Sequence, residues 1–197
     1  MTADPASKIV LRRHALARRD LIEPAEAHAA AEKIAPQGVK LVARFVPPGG
    51  VISAYWPIRS EISTRPLLER LAREGYRTAL PVMTAAAKPL HFRLWSPGDE
   101  LAKGPLGLFE PLASAATVEP DLMFLPLACF DAQGHRIGYG GGNFDATLAA
   151  QRARRRIVAI GLAYADQEVD TIPHEAHDQR LDFVITEQRL FECGAAS

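Results

Sequence analysis

Residues 121–126 read Asp-Leu-Met-Phe-Leu-Pro, and residues 157–162 read Ile-Val-Ala-Ile-Gly-Leu. Each run is apolar without the alternation that one-sided strands show, which is typical of strands buried on both faces of a parallel sheet. A helix candidate, residues 144–154, lies between them. Two buried strands joined through a helix predict a βαβ unit at the centre of the fold.

Outward from this unit, the chain keeps alternating between helical and strand-like segments. Residues 5–46 are predicted to be helical, with Pro24 early in a second helix and the Pro-Pro-Gly-Gly cluster at 47–50 as the end. Further strands are predicted at 51–55, 77–82, 90–95 and 183–186, and a helix at 64–74 capped by Ser63 or Thr64. We therefore predict an α/β fold: a single three-layer domain, residues 1–197, with a mainly parallel central sheet flanked by helices and an N-terminal helical segment.

Composition and charge exclude several classes of protein. The 197 residues include 23 Lys and Arg against 23 Asp and Glu, so the formal net charge is zero and we expect no nucleic-acid partner. No apolar run approaches the ~20 residues that a membrane span needs, and residues 1–20 lack the apolar core of a secretory signal. Cys129 and Cys193 are too few for a disulfide framework or a zinc site. We expect a cytoplasmic protein without membrane contact, and nothing in the sequence requires more than a monomer.

A glycine-rich segment, residues 134–145, follows the first buried run and leads into the helix candidate. Glycine permits positive φ and close approach of the backbone, so several N–H groups can converge on an anion at a helix N-terminus. The segment lacks the Gly-Lys-Ser/Thr ending of a Walker A loop and the Gly-x-Gly-x-x-Gly spacing of a dinucleotide fold. We favour a phosphate-binding loop over a flexible surface loop, because the segment lies between a buried strand and a helix.

Two carboxylates are candidate ligands for Mg²⁺. Asp145 ends the glycine-rich segment, where a carboxylate beside a bound anion is favourable if a cation lies between them. Position 145 would also suit an acidic residue simply because it opens a helix. Asp178 lies in His-Glu-Ala-His-Asp at 174–178, whose spacing differs from the His-Glu-x-x-His zinc motif, and we favour oxygen ligation by Asp178 over zinc.

Two further pairs of residues are candidates for binding. Lys8 and Arg12 are four residues apart, so a helix would present both cations on one face, either to a polyphosphate or to solvent. Trp56 follows a predicted strand, with Glu61 shortly after it. An aromatic ring beside a carboxylate could hold a flat heterocycle through stacking and its N–H groups. The alternative is a core tryptophan and a solvated glutamate.

In their order and spacing, these segments resemble the 5-formyltetrahydrofolate cyclo-ligase family, also called methenyltetrahydrofolate synthetases, over nearly the whole chain. The most specific segment is the glycine loop ending Gly140-Gly141-Gly142, with Asp145. The other matching segments are Lys8-x-x-Leu11-Arg12, residues 55–62 with Thr64 and residues 66–68, residues 80–83, Phe92-Arg93, Gly107 with Glu110-Pro111, Asp121-Leu122 with Pro126, Phe130-Asp131, residues 161–164 with Gln167, Pro173, His177-Asp178 and Leu181-Asp182.

The resemblance implies an ATP- and Mg²⁺-dependent conversion of 5-formyltetrahydrofolate to 5,10-methenyltetrahydrofolate, with release of ADP and phosphate. ATP would phosphorylate the formyl oxygen, N10 of the folate would attack the activated carbon, and phosphate would leave as the ring closes. By the same resemblance, Arg136 and Tyr139 are catalytic, Asp145 and Asp178 bind Mg²⁺, and Trp56, Glu61, Tyr139 and Asn143 bind the folate. The implied ATP-binding residues are Lys8, Arg12, Arg136, Gly138, Tyr139, Gly140, Gly141, Gly142, Asn143 and Phe144.

The chain departs from the family pattern around the end of the glycine loop. Asn143 and Phe144 stand where members often have an aromatic pair, and Ala146 stands where an arginine or similar residue is common. These departures concern the folate side more than the phosphate side. They keep open a non-catalytic folate- or nucleotide-binding protein of the same fold. A sugar-phosphate enzyme that uses the glycine loop for a monophosphate is the other alternative.

Overall fold

An eight-stranded sheet crosses the molecule, whose computed structural model describes residues 5–84, 87–104 and 107–193. In order across the sheet, the strands are β12 (Leu190–Glu192), β11 (Phe183–Ile185), β10 (Val158–Leu162), β7 (Leu122–Leu125), β1 (Val51–Ser53), β2 (Arg77–Thr84), β3 (Ala87–Leu94) and β6 (Thr117–Val118). Neighbours from β11 to β2 pair in parallel, and the three outer pairs are antiparallel. The predicted mainly parallel sheet is confirmed. The first four and last four residues of the predicted domain lie outside the described residues.

The two apolar runs form neighbouring strands at the centre of this sheet. β7 and β10 pair in parallel, with Leu122 opposite Val158 and Leu125 opposite Gly161. Every residue of both strands is buried. A Cβ at Gly161 would lie 2.7 Å from a methyl carbon of Leu181, so glycine allows the neighbouring chain to pack directly on the strand.

Helices cover both faces of the sheet. The described residues contain four α-helices: α1 (Pro5–Arg19), α2 (Pro24–Ala43), α3 (Arg65–Arg73) and α4 (Asn143–Arg152). α2 and α3 bury Ile34 and Leu67 in one hydrophobic cluster with Phe124, whereas α4 buries Leu148 in a second cluster with Met123. Because successive side chains of a strand point to opposite faces, β7 contributes to both clusters and three layers result. None of the described helices is both long enough and apolar enough to span a membrane.

Short antiparallel pairs were not predicted. β4 (Leu101–Lys103) pairs with β5 (Phe109–Pro111), and β8 (Cys129–Phe130) pairs with β9 (Arg136–Ile137). Strands of two or three residues are too short for a periodic pattern to reveal. A 3₁₀ turn, Ala165–Gln167, follows β10.

The predicted cap of α3 is right in position and wrong in chemistry. Thr64 is the N-cap residue, but its side chain makes no capping hydrogen bond. Its hydroxyl donates instead to the carbonyl of Tyr55, at 2.6 Å. Thr64 therefore fixes the segment that leaves β1.

Candidate active site

A cavity of about 890 Å³ opens where the parallel strands end. Segments that follow β1 and β7 contribute to its wall, together with the end of β2, which matches the position where open parallel sheets bind ligands. All the side chains and glycines predicted as site residues line this one cavity: Lys8, Arg12, Trp56, Glu61, Arg136, Gly138, Tyr139, Gly140, Gly141, Gly142, Asn143, Phe144, Asp145 and Asp178.

The glycine loop reaches the cavity by a route that the sequence did not predict. The β8–β9 hairpin stands between the buried strand β7 and the loop, and Gly134 belongs to the turn of this hairpin. At Gly134 φ is +86°, and a Cβ would lie 2.5 Å from the carbonyl oxygen of Leu181. Gly134 thus serves chain packing, and the cavity-lining loop begins only after β9.

The loop ends at an uncapped helix N-terminus. Gly142 is the N-cap of α4, with φ +66°, and no side chain caps the helix. The first turn of a helix has N–H groups without an intrahelical partner and a partial positive charge. Gly140 also has a positive φ, +96°, and a Cβ there would lie 3.4 Å from the guanidinium carbon of Arg12. Arg12 donates to the carbonyl of Gly138, at 2.7 Å, and so holds α1 against the loop.

Two ion pairs bring the predicted metal carboxylates into the cavity wall. Arg136, whose side chain is 4% exposed, lies 3.0 Å from Asp145. Lys8 lies 2.5 Å from Asp178. Burial lowers the pKa of the Arg136 guanidinium, and Asp145 works against that effect. Burial is the largest single influence on Asp178 and opposes its ionisation. The Lys8 hydrogen bond, the Glu175 N–H and the charges of Lys8 and His177 together outweigh it and hold the pKa of this carboxyl below its usual value.

The donor set fits Mg²⁺. One oxygen of Asp145 accepts from Arg136 and from the Gln179 N–H, and its other oxygen has no hydrogen-bond partner among the described residues. One oxygen of Asp178 accepts from Lys8, and the other lies 3.8 Å from the His177 ring nitrogen. Mg²⁺ is commonly held by one or two carboxylates together with phosphate oxygens and water. Within the described ranges, no group of three or more His, Cys, Asp or Glu side chains is placed to hold a metal ion.

The histidines of residues 174–178 are engaged separately. The ring of His174 stacks on His135 with centroids 3.8 Å apart. His177 instead lies 3.4 Å from Glu175, and its side chain is largely exposed. Only His177 and Asp178 of this segment line the cavity.

At the other end of the cavity, Glu61 is buried rather than solvated. It is 8% exposed, and one carboxylate oxygen accepts from the N–H of Ile58 at 2.9 Å. Burial raises the pKa of Glu61 to about 7, against the lowering effects of the Ile58 hydrogen bond and the positive charge of Arg19. A carboxylate that titrates near neutral pH inside a cavity is a typical ligand-binding group.

Trp56 both packs against the core and lines the cavity. It packs edge-on against Trp95, with ring centroids 5.4 Å apart, and contacts the core cluster. It also lines the cavity, and the guanidinium of Arg65 lies 4.4 Å from the centre of its ring.

The sequence interpretation missed other lining residues. Tyr55 and Glu110 are both buried in the wall, and Glu110 accepts from the N–H of Met83 at 2.9 Å. Arg59 also lines the cavity, and among the described non-glycine residues it alone has a positive φ, +52°. Glu110 lies in the Glu110-Pro111 segment that matches the family pattern, so it could have been selected as a site residue. No feature of the sequence predicts the positive φ of Arg59.

Comparisons with known proteins identify the family of this chain and agree with its fold. Residues 4–187 match the model of the 5-formyltetrahydrofolate cyclo-ligase family. The chain is 32% identical to a 5-formyltetrahydrofolate cyclo-ligase of Mycolicibacterium smegmatis, over 94% of this chain and 96% of that protein. It is 33% identical to one of Escherichia coli K12, over 72% and 80%. The solved 5,10-methenyltetrahydrofolate synthetase of Aquifex aeolicus has the same fold, with a TM-score of 0.71 at 24% identity, covering 96% of this chain and 94% of that one.

Proposed function

The chain belongs to the 5-formyltetrahydrofolate cyclo-ligase family, and from that premise we propose how its cavity performs the ligase reaction. The reaction joins N10 of 5-formyltetrahydrofolate to its formyl carbon to give 5,10-methenyltetrahydrofolate, and ATP supplies the driving force. One observation supports this assignment above the others. A single cavity holds an uncapped, glycine-rich helix N-terminus at one end and a buried carboxylate beside an aromatic ring at the other. These two ends suit a phosphate chain and a flat heterocycle with N–H groups.

The phosphates of ATP lie, in this proposal, between α1 and the start of α4. Lys8 and Arg12 project from α1 into the cavity, opposite the loop that ends at Gly142. The cavity wall at this end is completed by loop residues: Gly138, Tyr139, Gly140, Gly141, Asn143 and Phe144. Backbone N–H groups and fixed cations are already oriented, so little reorganisation is needed when the anion binds. Lys8 would exchange Asp178 for a phosphate oxygen.

Arg136 is proposed to stabilise the transferring phosphoryl group. Its guanidinium is buried and held by Asp145 and by the carbonyl of Gln179, at 3.0 and 2.7 Å. A fixed guanidinium offers planar donors to the equatorial oxygens of a phosphoryl group as charge develops there.

Asp145 and Asp178 are proposed to hold Mg²⁺. Each has one carboxylate oxygen that does not bind its Arg136 or Lys8 partner, and both residues line the cavity. When bound, Mg²⁺ would neutralise phosphate charge and orient the nucleotide.

The pterin ring is proposed to bind between Trp56 and the glycine loop. The ionised Glu61 would accept hydrogen bonds from the pterin N–H groups, while Tyr139 and Asn143 line the same cleft.

In the proposed reaction, the formyl oxygen of the bound folate meets the γ-phosphate of ATP. It attacks phosphorus as ADP leaves, N10 adds to the activated carbon, and phosphate departs with the formyl oxygen while N10 loses its proton. Protein side chains position and stabilise, and none needs to form a covalent bond.

Coupling between the two substrates tests this function. We expect ADP release to require 5-formyltetrahydrofolate and to match the methenyl product one to one. ATP hydrolysis that proceeds equally without the folate, or binding of both substrates with no ADP formed, would contradict the proposal.

We also propose that the chain acts as one domain and as a cytoplasmic monomer, without a nucleic-acid or membrane partner. The family match over residues 4–187 and the continuous sheet support the single domain. Sedimentation of the purified protein with and without substrates checks the oligomeric state.

A further inference from the structure

Arg19, the last residue of α1, carries a charge that is almost entirely buried. It is 2% exposed, and its side chain is among the largest fully buried ones. The guanidinium makes three hydrogen bonds, all to uncharged oxygens: Ser60 Oγ at 3.1 Å, the Leu127 carbonyl at 3.2 Å and the Tyr139 hydroxyl at 2.5 Å. Burying a guanidinium without a directly bonded carboxylate is costly.

A comparison with Arg136 shows what is unusual. Arg136 is also buried, but it forms an ion pair with Asp145 at 3.0 Å. The positive charge of Arg19 acts on the buried Glu61, but no hydrogen bond joins the two side chains, and the Ser60 hydroxyl passes a hydrogen bond on to Asp20. The hydrogen bonds of the Arg19 guanidinium therefore hold neighbouring segments of the chain rather than a counter-ion.

The three acceptors belong to three separate segments that contribute to the cavity wall, although Ser60 itself is not a lining residue. Ser60 lies in the segment between β1 and α3 that carries Trp56 and Glu61, and Leu127 follows β7. Tyr139 belongs to the glycine loop. One guanidinium thus connects the proposed folate side of the cavity with the proposed phosphate side.

Local geometry at these contacts shows that the connection is tight. Arg59, next to Ser60, has the left-handed φ of +52° noted above. The guanidinium carbons of Arg59 and Arg19 lie 5.7 and 5.6 Å from the ring centre of Tyr139. Tyr139 is 38% exposed, so packing alone does not fix its ring. Strained backbone persists where its surroundings hold it in place, and such positions cluster at functional sites.

We propose that Arg19 is a positioning residue for the ligase reaction, which holds the Tyr139 phenol and the Ser60 turn in one fixed arrangement so that the two substrates meet in line. The inference rests on the proposed function. Each substrate binds mainly to its own end of the cavity, so loss of Arg19 should disturb their mutual alignment more than the binding of either. A misplacement of about 1 Å can lower a rate about 100-fold.

The inference is tested by the steady-state kinetics of four variants: Arg19→Met, Arg19→Lys, Tyr139→Phe and the Arg19→Met/Tyr139→Phe double variant. We expect Arg19→Met to lower kcat at least about 30-fold, with KM for ATP changed less than about threefold. KM for 5-formyltetrahydrofolate should rise by a smaller factor than kcat falls, because Glu61 loses the nearby positive charge that lowers its pKa. Lysine lacks the planar fork needed to reach all three oxygens, so Arg19→Lys should not restore kcat. The double variant should be no slower than Arg19→Met, because both changes remove the same contact. Arg13→Met, an exposed cation on the same helix, is the matched control and should keep normal kinetics.

Several results would overturn the inference. They are a folded Arg19→Met or Arg19→Lys with kcat within twofold of the wild type, a loss confined to KM, or effects of Arg19→Met and Tyr139→Phe that multiply. If Arg19→Met does not fold, Arg19→Lys decides by the same kcat criterion, because it keeps a cation at this buried position. Wild-type protein in the same assay separates the two proposals. Absence of methenyl product from it overturns the proposed function, whereas an active wild type with unaffected variants overturns only the role of Arg19.

Discussion

Glu61 shows how burial changes the chemistry of one side chain. Its sequence position permitted a solvated glutamate, but the structure buries it, and its pKa rises to about 7. The sequence could place an acid near Trp56, but it could not show that the Glu61 side chain is buried. The conformation of residues 55–62 depends on tertiary contacts, such as the hydrogen bond from the Thr64 hydroxyl to the Tyr55 carbonyl.

The titration of Glu61 predicts a pH dependence of folate binding. If the ionised carboxylate accepts the pterin N–H groups, the dissociation constant for 5-formyltetrahydrofolate should rise about tenfold per pH unit below pH 7. Glu61→Gln should bind weakly at every pH and lose this dependence, which fluorescence titration between pH 5.5 and 8.5 would measure. A wild-type affinity that stays constant over this range would exclude Glu61 from folate binding.

The same pKa predicts an effect on stability. The folded-state pKa of Glu61 lies above its unfolded value, so its contribution to the free energy of unfolding is fully present below the unfolded pKa and is lost as pH rises towards about 7. Glu61→Gln removes this loss, because an amide does not ionise. We expect the Tm of Glu61→Gln relative to the wild type to be higher at pH 8 than at pH 5. An equal difference at both pH values would contradict the buried ionisable state.

Asp145 offers a second test at the level of one residue. Asp145→Asn keeps an acceptor for the Gln179 N–H but removes the charge that would face Mg²⁺ and Arg136. We expect kcat to fall about 100-fold and the Mg²⁺ requirement to rise. Asp182→Asn is the matched control, because Asp182 pairs with Arg152 at 3.1 Å and does not line the cavity. Normal kinetics of Asp145→Asn at limiting Mg²⁺ would rule out a metal role.

Among the elements, α4 was predicted well because its sequence pattern is local. The glycines before it and the apolar run after it marked a helix that begins close to residue 144, and the structure starts it at Asn143. The β8–β9 hairpin escaped prediction because its strands have two residues each. Gly134, the first residue of the glycine-rich segment, lies in the turn of this hairpin and does not line the cavity.

The N-terminus of α4 predicts an effect of a single methyl group. Gly142→Ala places a Cβ on a left-handed residue, which costs about 1–2 kcal/mol and shifts the N–H groups of the first turn. We expect KM for ATP to rise at least about fivefold. Gly98→Ala is the matched control, because Gly98 has φ +100° and does not line the cavity. It should lower stability to a similar extent and leave KM unchanged, and equal KM values for the two variants would contradict an anion site at α4.

The spacing of Lys8 and Arg12 predicted that a helix would present both cations on one face, towards a polyphosphate or solvent, and both line the cavity. Their assignment to ATP came from the family resemblance. Lys8→Met and Arg12→Met should each raise KM for ATP about tenfold, with a smaller effect on KM for the folate, because each loses a charge-assisted hydrogen bond to phosphate. Arg13→Met serves as the exposed control here too. Unchanged ATP kinetics in both variants would mean that this face does not bind the nucleotide.

At the scale of the whole molecule, the class of fold was predictable and the assembly of the site was predictable only in part. Two apolar runs with a helix between them predicted a parallel sheet, because strands joined through a helix pair in parallel and are buried on both faces. The carboxyl edge of such a sheet is a common ligand site, and the structure brings residues that follow β1 and β7 together there. Arg19 could not be selected as a site residue from the sequence, because its three hydrogen-bond partners are more than 40 residues away in the chain.

The most direct test of the whole account is the growth of the methenyl-folate absorbance band with purified protein. ATP, Mg²⁺ and 5-formyltetrahydrofolate are supplied together and then with each one omitted in turn. We predict that the band appears only when all three are present, and that Arg19→Met slows its growth without changing the final amount of product. A folded protein that binds ATP and the folate but produces no band under the complete conditions would contradict the assignment of this cavity to the ligase reaction.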